Sequence, residues 1–257
     1  MSYTLAGNGV LTDIPWVDIK SSQLDFLVLA TGSVEQHGPH LPLGADYLVA
    51  ERIAQEVVRR FSVLQLPFTP VGVNFMFQNW AGTLNISAET YTKLIVEIGA
   101  NAAKICPRLL IINGHDENQP LLLTAAQQLV TDYGMEVVVF EWAELVLDIL
   151  RSVCESKYEM HAGEGLTSLF LHWFPQHVRM ERIKEGTQIS GGLASNDIHL
   201  DHRAYNPRLI NPSPEASGVF GNPSLANAEK GAKISEALIK RVTELVRELN
   251  WEGAAAR

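Results

Sequence analysis

Asp25-Phe26-Leu27-Val28-Leu29-Ala30-Thr31 is an apolar run bounded by polar residues, and it leads directly into Gly32-Ser33-Val34-Glu35-Gln36-His37-Gly38-Pro39-His40-Leu41-Pro42-Leu43-Gly44-Ala45-Asp46. A short run of this kind reads as a buried strand. The segment after it crowds carboxylates and imidazoles together at the point where the strand ends. From Tyr47 to Arg60 the pattern becomes helical, with Leu48, Ala50, Ile53, Ala54, Val57 and Val58 recurring at spacings of three and four. Strand, donor-rich loop and helix follow one another without a linker.

The same alternation continues along the chain. Strands are expected at Val63 to Val71, Arg108 to Ile112 and Met135 to Phe140. Helices are expected at Ala88 to Ala103, Gln119 to Asp132, Ala143 to Ser152, Gly163 to Trp173 and Leu225 to Leu249. Strands alternating with helices of this length predict an α/β fold built from βαβ units, with a mainly parallel sheet covered on both faces. Between about Glu181 and Ser224 the sequence turns rich in Gly, Pro, Asn, Asp and Ser, which suits a stretch that covers or borders a site. No repeat or low-complexity tract divides the 257 residues, so one domain is expected over 1–257.

Charge narrows the partners. The net charge is −9, and no Lys/Arg run exceeds two residues, as at Arg59-Arg60 and Lys240-Arg241. Nucleic acid and anionic membranes require clustered positive charge, so neither is expected as a partner. No apolar stretch approaches the roughly 20 residues of a membrane span. Met1-Ser2-Tyr3-Thr4-Leu5 lacks the basic and apolar blocks of a signal peptide. Only Cys106 and Cys154 are present, which implies no disulfide framework, and Cys106, with no nearby base, reads as a buried thiol. A cytoplasmic protein acting on a small molecule is the expectation.

A second donor cluster, Asn113-Gly114-His115-Asp116-Glu117-Asn118, follows another predicted strand. Ligands of open parallel sheets collect at the carboxyl ends of the strands, so both loops are expected on one edge. In an extended segment, residues i and i+2 project to one side. Glu35 with His37, and His115 with Glu117, each present two donors in one direction, and Asp46 returns at the start of the next helix. That mixture of oxygen and nitrogen donors suits two divalent ions such as zinc or manganese. Taken singly, each residue has a plainer reading: Asp46 as a helix N-cap, the histidines as turn residues, and the glutamates as surface charges.

These blocks resemble those of the creatininase (creatinine amidohydrolase) family. Gly32 to Asp46 is similar to its hallmark Gly-Ser-x-Glu-Gln-His-Gly-x-His-Leu-Pro-Leu-x-x-Asp, and Asn113 to Asn118 to its Asn-Gly-His-x-x-Asn block. Gly82-Thr83, His161-Ala162-Gly163 with Thr167-Ser168, and Gly221-Asn222-Pro223 through Ala228-Glu229-Lys230-Gly231 extend the likeness over nearly the whole chain. The resemblance implies a three-layer α/β/α sandwich, two divalent ions per chain (zinc, manganese or both) and a homohexamer. It implies that Glu35, Asp46 and His115 hold one ion, and that His37, Asp46 and Glu117 hold the other, with Asp46 bridging. It further implies a metal-bridging hydroxide as nucleophile, and catalytic roles for Glu117 and for His161, which would carry the proton between attacking water and leaving nitrogen.

Departures from the family pattern bear on the substrate. Leu166 stands where relatives often carry a Glu, and Glu164 is the acid expected to compensate in the catalytic set. Asp116 replaces an aromatic residue of creatininase, Lys157 falls near where a pocket Trp stands, and Trp142 matches another pocket aromatic. These three are the expected substrate contacts. The expected reaction is hydrolysis of a C–N bond in an amide, cyclic amide or formamide. Cyclic ketones, peptides and a non-catalytic, metal-stabilised assembly remain the alternatives. Asp197-Ile198-His199-Leu200-Asp201-His202 also has ligand-like spacing, but reads better as a solvated loop or subunit contact.

Overall fold

A computed structural model describes residues 9–20, 22–67, 70–184, 186, 197–199 and 217–253. Its centre is a parallel sheet of β1 (Phe26–Thr31), β2 (Val63–Gln65), β3 (Arg108–Asn113) and β4 (Glu136–Glu141), in the order β2-β1-β3-β4. Leu27 pairs with Leu109 and Thr31 with Asn113, so β1 and β3 end side by side. Phe26 to Ala30 of β1 and Leu109 to Ile112 of β3 are all apolar because both faces of these strands are covered. Phe26, Val28, Ala30, Leu110 and Ile112 join one core, while Leu27, Leu29, Leu109 and Ile111 join the other. Each fully buried Leu or Ile contributes roughly 1.5–3 kcal/mol, which makes this central pair the anchor of the fold.

The helices form the outer layers. After a short α1 (Trp16–Ile19), the first face is built by α2 (Ala45–Val58), α6 (Leu147–Val153), α7 (Glu164–Trp173) and α8 (Ala228–Glu248). The opposite face is built by α3 (Ala88–Ala102) and α4 (Gln119–Tyr133). This is the expected three-layer α/β/α sandwich. Helix ends carry their own signals. Ser87 Oγ accepts from Thr90 N at 3.2 Å to start α3, and Asn227 Oδ1 accepts from Lys230 N at 2.9 Å to start α8.

Three elements differ from the sequence reading by more than one or two residues at an end. β2 ends at Gln65 instead of reaching Val71: Leu66 N makes a last bond to Val28 O, and Pro67 has no N–H to continue. The helix expected from Ala143 to Ser152 is split into α5 (Trp142–Leu145) and α6, because fully buried Val146 leaves helical geometry at φ −124° and ψ 27°. The final helix begins at Ala228, after a turn of 3-10 helix at Pro223–Leu225. Most of the irregular stretch from Glu181 to Ser224, including Leu200 to His202, lies outside the described residues.

Topology positions the site. β1 leads into α2 on one face, and β3 leads into α4 on the other, so their following loops diverge where the two strand ends are adjacent. Such a switch point opens a crevice at the carboxyl edge of the sheet. Both donor-rich loops flank it.

Candidate metal centre

Asp46 is the second residue of α2, but it does not cap that helix: Gly44 is the N-cap, and it makes no side-chain cap bond. Its carboxylate turns into the crevice. Oδ1 lies 2.9 Å from His37 Nε2, and Oδ2 lies 3.0 Å from His115 Nδ1 and accepts from Ser33 Oγ at 2.9 Å. Against burial, which alone would raise it, His37 and His115 hold the Asp46 carboxyl well below the usual range. Burial in turn pulls His37 and His115 down, and the neighbouring carboxylates outweigh it and raise both.

The close approach depends on backbone as well as side chains. A Cβ on Gly114 would strike the Asp46 carbonyl oxygen, so only glycine lets the loop after β3 lie against the first turn of α2. Asn113 clamps that loop: its Nδ2 donates to His115 O at 2.7 Å, and its Oδ1 accepts from His115 N at 3.1 Å. Asn118 joins it to the loop after β1 by donating to Gly32 O at 3.0 Å, and Val73 N donates to Asn118 Oδ1 at 3.0 Å. These bonds account for both asparagines of the Asn-Gly-His-x-x-Asn block.

Glu35 lies at the centre of the donors. Its Oε1 is 3.6 Å from His115 Nδ1 and 3.7 Å from His161 Nδ1. Among the described residues, two groups have donor atoms all within 4.8 Å of one another: Glu35, Asp46 and His115, and Glu35, His37 and His161. The first is the expected set. In the second, Glu35 and His161 stand where the resemblance implied Asp46 and Glu117. Glu117 lines the same cavity, with Oε2 3.8 Å from His115 Nε2, but both its oxygens face Met76 N at 3.3 Å.

The residues fit divalent ions on two observations. Glu35 Oε2 is buried without a hydrogen-bond partner, and burial pushes this carboxyl up to about 8. Each flanking histidine also points its far nitrogen at a backbone carbonyl: His37 Nδ1 is 3.2 Å from Glu35 O, and His115 Nε2 is 2.8 Å from Val73 O. That carbonyl fixes the tautomer and turns the other nitrogen inward, the habit of ligating histidines.

The cavity above these donors has a volume of about 890 Å³. Asp116 and Trp142 line it, the first with a side chain 66% exposed and the second buried. Two expected residues do not. Lys157 is exposed and outside the lining, because it is Ser156 and Tyr158 on either side of it that are buried. Glu164 is fully buried away from the cavity, where its Oε2 accepts from Glu155 N and Ser156 N at 2.8 Å and its Oε1 pairs with Lys230 Nζ. The carboxylate that lines the wall near His161 is Glu159, which also accepts from Glu164 N and Gly165 N at 2.9 and 2.8 Å. Burial raises it to about 8. Its spacing of two before His161 repeats that of Glu35 and His37, the signal by which sequence reading could have found it. Asp197 accepts from Glu159 N at 3.2 Å and from His199 N at 3.1 Å, so it ties this wall together instead of facing an ion.

Residues 12–246 match the family model for Creatininase: Creatinine amidohydrolase. The chain belongs to the creatininase family. It is 32% identical to the mycofactocin precursor peptide peptidase of Mycobacterium tuberculosis (strain ATCC 25618 / H37Rv), over 83% of this chain and 81% of that protein. It is 24% identical to the creatinine amidohydrolase of Pseudomonas putida, over 86% and 88%. A solved mutant creatininase of Zn–Zn type superposes with a TM-score of 0.78 at 20% identity, covering 95% of this chain and 98% of that one. The creatininase-family relatives are named as hydrolases, and this chain is a hydrolase of that family. None of its described helices is long and apolar enough to cross a membrane.

Proposed function

We propose that this creatininase-family hydrolase uses two divalent ions, zinc or manganese, to cleave a carbon–nitrogen amide bond in an extended, short-peptide-like substrate. The observation that carries the reading is the buried Glu35, common to both donor groups and lining the 890 Å³ cavity, with its Oε2 left without a hydrogen-bond partner. Glu35, Asp46 and His115 would hold one ion. His37 would anchor the second, with Glu35 and His161 already within reach, or with Asp46 and Glu117. When bound, the ions supply Lewis-acid polarisation of a carbonyl and a nucleophile at neutral pH.

The chain's own residues do the rest. Asp46 and the two backbone carbonyls hold His37 and His115 in the orientation that ligation needs. His161 lies with Nδ1 toward Glu35 and with its ring 4.4 Å from that of Phe77, which shields it from bulk water. Burial, reinforced by the neighbouring His37, holds His161 low, so it rests neutral; the proposed transfer of a proton from water to the leaving nitrogen would run through its Nδ1.

Cavity size favours a peptide over a single ring. A volume near 890 Å³ is at the upper end of the roughly 300–1,000 Å³ typical of drug-sized ligands. Trp142, Leu147, Leu150 and Ile198 offer apolar wall beyond the donors, and Asp116 and Glu144 add negative charge with no Lys or Arg among the described lining residues. The similarity to a peptide peptidase points the same way. A homo-oligomer in the cytoplasm completes the reading, with exposed Phe75 and Leu84 as candidate contact residues and light scattering as the check on assembly.

The test is elemental analysis of protein purified without chelator, followed by a panel of short peptides and creatinine. Close to two divalent ions per chain, with peptide turnover exceeding that of creatinine, is the expected result. Protein that takes up neither zinc nor manganese overturns the metal reading, and turnover confined to creatinine overturns the substrate class.

A further inference from the structure

Gln36 lies between two proposed ligands, yet its side chain does not point at the donor cluster. Its Oε1 accepts from Gly38 N at 2.9 Å, and its Nε2 donates to Gly218 O at 2.9 Å. Gln36 is 5% exposed, and the two bonds of its side chain lock the residue's own peptide group. That peptide carbonyl is 2.8 Å from His161 Nε2. Gly218, at φ +72°, leaves just enough room: a Cβ there would occupy the place of Gln36 Oε1. The 217–221 segment also holds His161 by main chain, with His161 N donating to Phe220 O at 3.0 Å and Phe220 N to His161 O at 2.8 Å.

We infer that Gln36 is a positioning residue for His161, whose locked carbonyl takes the Nε2 proton and so keeps Nδ1 bare toward the donor cluster. The opposite tautomer has a supporter close by, since the Gln36 amide nitrogen is 3.1 Å from the same ring nitrogen and would donate to it if it were bare. Anchoring to Gly218 O commits one N–H of that amide elsewhere, while the carbonyl sits closer and accepts. A histidine's partner on one nitrogen sets which nitrogen is free to work. Loss of the Gln36 side chain would free the carbonyl to drift, and with it the tautomer and aim of His161.

This inference rests on the proton-transfer role assigned to His161, and its first readout needs no substrate. The experiment is nitrogen NMR of ¹⁵N-histidine-labelled, zinc-loaded protein, with the His161 signals identified by their loss in His161→Gln. The expected wild-type pattern is a protonated Nε2 and a bare Nδ1. In Gln36→Met the two tautomers should mix, kcat on the best peptide should fall about 10- to 100-fold, and KM should stay within about threefold. Gly218→Ala, which displaces the same side chain from the other end, should reproduce both effects, and it serves if Gln36→Met does not fold. An unchanged His161 tautomer in both variants, whether or not kcat falls, overturns the inference. A shifted tautomer in a protein with no turnover of any amide supports it while refuting the proposed reaction.

Discussion

His115 Nδ1 lies 3.0 Å from Asp46 Oδ2, although one residue follows β3 and the other begins the helix that follows β1. The contact exists because the two strands are neighbours whose following helices lie on opposite faces. The same carboxylate meets His37 Nε2 at 2.9 Å, so one side chain orients two imidazoles.

Asp46→Asn should therefore damage both halves of the centre at once. An amide has one acceptor oxygen and no charge to balance two imidazoles. Metal content should fall below one ion per chain and activity by at least about 100-fold. Elemental analysis and kinetics on the same preparation check this. Full metal occupancy with near-normal turnover would remove Asp46 from its bridging position.

Gly114→Ala tests the backbone part of the arrangement. The new Cβ would meet the Asp46 carbonyl oxygen, a main-chain atom at the start of a packed helix, so relief requires the loop after β3 to move. A loss of about 1–3 kcal/mol is expected, the usual cost of overpacking, together with weaker zinc binding. Urea denaturation of the metal-loaded and chelated forms separates the two effects.

Lys230→Met should show that Glu164 supports the fold and does not act in the reaction. Lys230 Nζ bonds Glu164 Oε1 and also Glu155 Oε1, and Glu164 is fully buried. Removing the cation leaves a buried carboxylate uncompensated, a loss of roughly 3–5 kcal/mol. Adding Glu164→Gln should recover much of it, and the double variant, once folded, should retain near-normal kcat. A kcat collapse in that folded double variant would return Glu164 to the catalytic set.

Glu141 gives the chain a pH signature away from the metal ligands. This cavity-wall carboxyl accepts from Glu144 N at 2.7 Å, and burial raises it from 4.5 to about 8. For an acid raised in the folded state, stability is fully present below about pH 4.5 and is lost as pH climbs through about 8, because the unfolded chain ionises more readily. Glu141→Gln keeps the acceptor and removes the charge. Its unfolding free energy should be close to wild type at pH 4.5 and higher at pH 8.5, by an amount on the order of a few kcal/mol at most. Parallel pH dependences for the two proteins would sink the assignment.

The alternation of apolar runs and helical spacing in the sequence was enough to predict the parallel sheet, its two helical layers and the edge on which the donors gather. Those features follow from local periodicity and from the rule that a strand buried on both faces must be apolar throughout, as in Leu109 to Ile112. Glu35, His37, Asp46 and His115 could be expected together because their loops follow adjacent strands, but Glu117 reaches the cavity from a 3-10 turn at Asp116–Asn118 and not from extended chain. Other features required the folded chain. The approach of His161 to Glu35 and His37, the burial of Glu164 against Lys230, and the Gln36–Gly218 lock depend on distances between segments far apart in sequence. Spacing along a chain constrains which side a residue faces within its own segment. Only the packing of segments against one another decides which carboxylate finds a cation, which finds a backbone N–H, and which, like Glu35, is left with an oxygen free to bind.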